Sequence, residues 1–238
     1  MPADALKTLL SQMDNAAREA GRPAPRLLAV CKRQPATAVA ELAREWRLLG
    51  EGKDERVPAF GENYVQEAQA KQAGLSGSGF PASALEWHLI GHLQSNKARE
   101  AAMRFDWIQT VDRLRLVDAL ARARPPERGA LNVLVQVNVD DESSKHGCAP
   151  DEIHPLAAAI AAQPRLALRG LMAIPAPHPE IAHRRHAFAR MRALFDDLRT
   201  AHPGIDTLSM GMSDDYVLAI AEGATMVRVG TALFGPRK

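Results

Sequence analysis

Two short segments hold the residues best suited to chemistry. Leu208-Ser209-Met210-Gly211-Met212-Ser213-Asp214-Asp215-Tyr216 and Arg228-Val229-Gly230-Thr231 each bring a glycine and a hydroxyl to the point where a β-rich run turns over. Glycine lets backbone N–H groups approach an anion closely, a Ser or Thr hydroxyl adds a donor, and a helix beginning near Asp214 would present the positive end of its dipole. That combination fits a phosphorylated small molecule, although tight turns alone also explain Gly211 and Gly230. Lys32 ends the apolar run Leu27-Leu28-Ala29-Val30-Cys31. A lysine leaving a strand is commonly a solvated exit residue. In a partly dry site, however, its amine has a lowered pKa and can condense with an aldehyde. A phosphate anchor plus such a lysine suits pyridoxal 5′-phosphate (PLP).

The elements that must position these groups alternate along the chain. The apolar or β-branched runs are Arg26–Lys32, Ala59–Glu62, Glu86–Gly91, Trp107–Val111, Leu131–Val139, Ala167–Ile174, Thr207–Met210 and Met226–Val229. Between them lie helical patterns at Ala36–Trp46, Tyr64–Ala73, Asn96–Phe105, Arg113–Arg124, Pro150–Gln163, Pro179–Ala201 and Asp214–Gly223. An extra helix at the N-terminus, from Ala3 to about Ala20, returns Leu6, Leu9, Leu10, Met13 and Ala17 to one face. Alternation of this kind predicts an α/β fold with a parallel sheet, and eight units predict a single (β/α)8 TIM barrel over residues 1–238. A chain of 238 residues suits that fold, whose usual size is about 250. An open doubly wound sheet remains the alternative, because periodicity does not reveal closure. Closure would set the ends of strands seven and eight beside strand one, bringing Lys32 to the phosphate segments. In Leu131–Val139 the odd-numbered residues face one side, leaving Gln136 and Asn138 pointing inward. Trp87 and Trp107 are expected between barrel and helices, and Cys31 on the face opposite Lys32.

Composition narrows the partners. Thirty basic against 28 acidic residues give a net charge of +2, too small to argue for nucleic acid or a membrane surface. Cys31 and Cys148 are the only cysteines, which suits a reducing compartment. The start MPADALKTLL lacks a secretory layout, and no run reaches about 18 apolar residues. A soluble cytoplasmic protein is expected. His88 and His92 flank a strand end without an HExxH sequence, so no metal is expected there. His183, Arg184, Arg185, His186, Arg190 and Arg192 make a basic helix, read as a solvated face or a docking surface for partner proteins. Loops are expected at Gly50–Pro58, Gly74–Ser83 and Asp140–Gly147, and Lys145-His146-Gly147 could either close over a ligand or remain solvated.

Taken together, Ala29-Val30-Cys31-Lys32, Phe60 to Glu67 (FGENYVQE), Trp87 to Lys97 (WHLIGHLQSNK), Gly170-Leu171-Met172, Leu208 to Tyr216 and Val227 to Gly235 resemble, in order, the motifs of the YggS/PROSC family of PLP homeostasis proteins. The resemblance spans nearly the whole chain. It implies a fold-type III PLP barrel like the N-terminal domain of alanine racemase, with PLP held as an aldimine on Lys32. It also implies phosphate contacts from Ser209 or Ser213 and from Gly230 and Thr231, with Arg228 at the pyridine nitrogen and Asn63 at the cofactor's edge. Read singly, Arg228 could pair with a carboxylate and Asn63 could cap the helix that starts at Tyr64. An always-protonated guanidinium leaves the pyridine nitrogen unprotonated and the ring a poor electron sink. Racemisation needs a second base, which alanine racemase takes from its partner subunit's C-terminal β domain. This chain, ending just after strand eight, is expected to lack that domain.

The expectation is a monomeric protein that buffers or delivers PLP and influences amino-acid and keto-acid balance. It would lack robust catalysis and contact PLP-dependent apo-enzymes transiently. The alternatives are a small PLP-dependent racemase or lyase using Lys32, and an aldolase-like barrel in which Lys32 bonds the substrate itself. Leu48 to Pro58 departs from the family pattern by its length and charge, and is expected to form a surface loop at the barrel end away from PLP.

Overall fold

In the computed structural model, which describes residues 2–50, 57–77, 80–140 and 146–235, eight parallel strands follow one another around a closed barrel. They are β1 (Arg26–Val30), β2 (Ala59–Glu62), β3 (Glu86–Leu89), β4 (Trp107–Val111), β5 (Leu131–Gln136), β6 (Leu166–Met172), β7 (Thr207–Met212) and β8 (Met226–Val229). β8 pairs back onto β1, with Ala29 opposite Val229, which excludes the open sheet. Around them run α1 (Pro2–Glu19), α2 (Ala36–Gly50), α3 (Val65–Gly77), α4 (Ala98–Arg104), α5 (Leu114–Ala123), α6 (Ile153–Ala161), α7 (Ile181–Ala201), α8 (Tyr216–Ala221) and the single turn α9 (Thr231–Phe234). The N-terminal helix α1 lies against α2, α8 and α9, so it covers the seam where β8 meets β1. Its buried stripe is Leu6, Leu9, Met13 and Ala17.

Strand alternation divides the apolar residues into two layers. Leu131, Val133, Val135, Val137 and Val139 all join the cluster shared with the helices. The opposite parity fills the barrel interior in two smaller groups, one of Leu28, Ala59, Ile90 and Met226 and one of Trp107, Leu134 and Met172. Trp87 packs in the outer layer as expected, but Trp107 does not. Its neighbour Ile108 takes the outward position, which turns the Trp107 indole inside, stacked on His88 with ring centroids 5.1 Å apart. The guanidinium groups of Arg26 and Arg169 lie over Trp107 at 5.8 and 4.8 Å and close the amino-terminal end of the barrel.

The strand and helix boundaries move where local geometry overrides pattern. β1 stops at Val30 because Lys32 and Arg33 form a turn, Arg33 with φ of 62°. β5 stops at Gln136, after which Val137 bridges only to Cys148. β7 runs two residues beyond the expected Met210, to Met212. The helix expected from Asp214 begins at Tyr216. Most of the charged 48–58 insertion, residues 51–56, lies outside the described residues, as does Lys145.

Candidate functional site at the carboxyl ends of the strands

A cavity of about 230 Å³ lies at the carboxyl ends of the strands, the end where sites form in this architecture. Lys32 after β1, Asn63 after β2, Ser213 after β7, Arg228 in β8, and Gly230 and Thr231 after β8 all line it. Val30, Ile90, Ile174 and Phe234 give it apolar walls. The sequence places these groups far apart, and barrel closure brings them to one mouth. Cys31 is fully buried in the outer layer, so Lys32 and Cys31 take opposite sides as alternation requires. Asn63 precedes Tyr64, the residue before α3, and borders the cavity rather than occupying the cap position.

Of the two serines, Ser213 lines the cavity and Ser209 does not. Ser209 is fully buried on the inner face of β7, between Leu208 and Met210 of the outer layer. Its hydroxyl accepts from Arg228 Nη1 at 2.8 Å and donates to Gln109 Oε1 at 2.7 Å. Arg228 Nη2 donates to the Ala173 carbonyl, also at 2.8 Å. These bonds fix the guanidinium in the cavity floor, and a hydroxyl and a carbonyl, rather than a carboxylate, hold it. Burial lowers its pKa to about 10, with Asp215 opposing, so it remains cationic at neutral pH.

The line of hydrogen bonds continues through the barrel. Gln109 Nε2 donates to His88 Nδ1 at 2.9 Å, and His88 Nε2 meets Glu86 Oε1 at 2.7 Å, where Arg26 also donates at 2.6 Å. Burial holds His88 below the ordinary imidazole range against the opposing pull of Glu86. A neutral ring with its proton on Nε2 satisfies both neighbours. Burial alone would raise Glu86, but its bond to His88 and the charge of Arg26 bring it down to about 2. Sequence reasoning missed this line, although the inward parity of Ser209, Gln109 and His88 was a usable signal.

A second polar group braces the lysine. Glu62 and Lys71 form a buried pair, Lys71 Nζ donates to the Cys31 carbonyl at 2.7 Å, and Cys31 Sγ donates to Glu62 Oε1 at 3.1 Å. The backbone immediately before Lys32 is therefore pinned from α3. Burial raises both the Cys31 thiol and the Glu62 carboxyl, the latter against the lowering effect of Lys71.

The turn after β7 is fixed by Asp215, whose Oδ1 accepts from the Met212 N–H at 2.7 Å. Gly211 has φ of +89°, and a Cβ there would lie 2.5 Å from that of Ala219. A Cβ on Gly230 would meet the Val30 carbonyl at 3.0 Å, so glycine lets the end of β8 lie against β1. Both glycines thus have a steric reason, and Gly230 also sits beside Thr231 on the cavity lining. The first N–H groups of α9 have no carbonyl partner within that helix. Two cationic side chains, two hydroxyls and apolar walls fit a small ring bearing a phosphate and an aldehyde. The basic helix α7 is largely tied to its own surroundings. Arg185 pairs with Glu222, Arg192 with Asp196, and Arg190 donates to the Val139 carbonyl.

Comparison with known proteins agrees with this geometry. The family model described as "Alanine racemase, N-terminal domain" matches residues 5–238. A pyridoxal phosphate homeostasis protein of Escherichia coli (strain K12) is 50% identical over 216 residues, covering 89% of this chain and 85% of the relative. One from Pseudomonas aeruginosa is 49% identical over 237 residues, covering 99% and 95%. PipY of Synechococcus elongatus PCC7942, solved with PLP bound, is 37% identical, with a TM-score of 0.81 over 99% of this chain and 100% of its own. Alanine racemase from Corynebacterium glutamicum shares the fold at 19% identity and a TM-score of 0.62, and this chain covers 62% of it. The chain belongs to the family of pyridoxal phosphate homeostasis proteins, built on the alanine racemase N-terminal barrel.

Proposed function

We propose that this protein binds PLP in the barrel-mouth cavity, and that it buffers or delivers the cofactor to maintain vitamin B6 and amino-acid and keto-acid balance. The observation that carries the reading is that one cavity collects Lys32, Ser213, Thr231, Gly230, Asn63 and the buried Arg228. PLP supplies an electrophilic aldehyde and an electron-accepting ring. Lys32, which lines the cavity, would supply the amine that holds the cofactor by its aldehyde. Ser213, Thr231 and the backbone at Gly230 would hold the phosphate, Arg228 would donate to the ring nitrogen, and Asn63 would border the ring. Ser209 supports Arg228 from below instead of touching phosphate.

The reading extends to a single domain over residues 1–238, acting as a cytoplasmic monomer that meets PLP-dependent apo-enzymes transiently. Among the described residues no helix is long and apolar enough to cross a membrane. Robust turnover is not expected, because a cationic guanidinium disfavours protonation of the ring nitrogen and so weakens carbanion stabilisation. The test is transfer. Holo-protein mixed with a PLP-dependent apo-enzyme should restore that enzyme's activity while the holo-protein loses its visible absorbance. Failure to load PLP, or loading without release to any apo-enzyme, would contradict the proposal.

A further inference from the structure

His92, Asp112 and His146 come from three different connections, those after β3, β4 and β5, and meet at the barrel mouth outside the PLP cavity. Their ligating atoms all lie within 4.8 Å of one another. His92 Nδ1 stands 3.9 Å from Asp112 Oδ2, and the two imidazoles stack with centroids 3.8 Å apart. Asp112 Oδ1 is engaged by Arg113 at 2.5 Å, and Arg113 is itself anchored on the Leu93 carbonyl at 2.8 Å. The carboxylate is thereby oriented with its other oxygen toward His92.

We propose that His92, Asp112 and His146 bind one divalent cation of the zinc, nickel and cobalt class. Two imidazoles and a carboxylate, without a thiolate, suit these borderline ions better than magnesium or calcium, which prefer all-oxygen shells. Bond lengths of about 2.0–2.2 Å on a tetrahedral ion put ligand atoms about 3.3–3.5 Å apart, so side-chain rotations of about an ångström complete the site. His92 and His146 are exposed enough to make them. Three protein ligands leave a fourth position for water or a small anion. The bound ion ties three strand-end connections together beside the cofactor cavity. Sequence spacing pairs His92 with His88, which the fold instead sends into the barrel interior, so the real partners were hidden.

The experiment titrates Zn2+ alone, by calorimetry, into chelator-treated protein at about pH 7.5. One ion per chain is expected. His146→Ala and Asp112→Asn should each weaken binding by about tenfold or more, as loss of one ligand in three requires. Zn2+ should raise the melting temperature of the unaltered protein but not of His146→Ala, whose exposed position leaves folding intact. His183→Ala removes half of the other stacked histidine pair, His178 and His183, and should leave affinity unchanged. Lys32→Ala should also bind Zn2+ normally, which separates this site from the PLP reading. Absence of 1:1 binding, equal affinity in His146→Ala, or loss in His183→Ala instead would overturn the proposal.

Discussion

At the residue scale the site depends on how far each side chain sits from its strand end. Ser213 and Thr231 stand beyond β7 and β8 and reach the cavity. Ser209 stands three residues before the end of β7, about 10 Å deeper at the rise of a strand, and meets Arg228 instead. The motif named both serines, but only the true end of β7 separates them, and Met210-Gly211-Met212 does not look like a strand terminus in sequence. Charge-assisted hydrogen bonds to phosphate are worth roughly 1.5–3 kcal/mol, so Ser213→Ala or Thr231→Ala should weaken PLP about tenfold or more in an equilibrium titration. Ser209→Ala should act differently. It leaves a buried guanidinium short of one partner, costing about 1–3 kcal/mol of folding stability in urea melts, while the cavity-lining Ser213 and Thr231 are untouched.

At the scale of elements, the eight strands were legible because each is a short apolar run between helical patterns. The buried face of β5 was readable residue by residue. α9 escaped because four residues are too few to show a periodicity, and Gly230-Thr231 already read as a turn. The bracing of Lys32 by α3 escaped for another reason. Lys71 in AQAKQAG looks like a solvated helix residue, and only the approach of α3 to β1 and β2 buries it against Glu62. Breaking a buried ion pair from one side leaves an uncompensated charge, so Lys71→Met should cost about 3–5 kcal/mol. Adding Glu62→Leu to that variant should recover much of the loss. A denaturant series on the single and double variants checks both outcomes, and equal stability of the two would show that the pair does not carry the bracing.

At the scale of the whole molecule, closure was the property that periodicity left open, and the β8–β1 pairing supplies it. Closure also creates the line from Arg228 through Ser209, Gln109 and His88 to Glu86, which joins the cavity floor to the far end of the barrel. His88 gives this line a pH dependence. In the unfolded chain its imidazole takes up a proton near pH 6.5, whereas the folded barrel resists protonation until lower pH. The unfolded state therefore binds more protons in that window, and stability present above about pH 6.5 is lost as the pH falls below it. His92 is also held low and adds in the same direction. Urea midpoints at about pH 7.5 and 5.5 should show the loss, and His88→Gln should reduce its slope without abolishing it.

The chemistry of the whole site makes a further prediction. Holo-protein incubated with L-alanine in heavy water should show negligible deuterium at Cα and no D-alanine, because the proposed placement of Arg228 at the ring nitrogen would make the cofactor a poor carbanion sink. Rapid exchange that disappears in Lys32→Ala would instead favour a racemase or lyase.

The central claim is that PLP occupies this cavity and is joined to Lys32, and borohydride reduction followed by peptide mass mapping tests it most directly. Reduction should fix PLP on the single peptide containing Lys32, and Lys32→Ala should lose both that adduct and the visible absorbance. An adduct on another lysine, with Lys32 unmodified, would contradict the account.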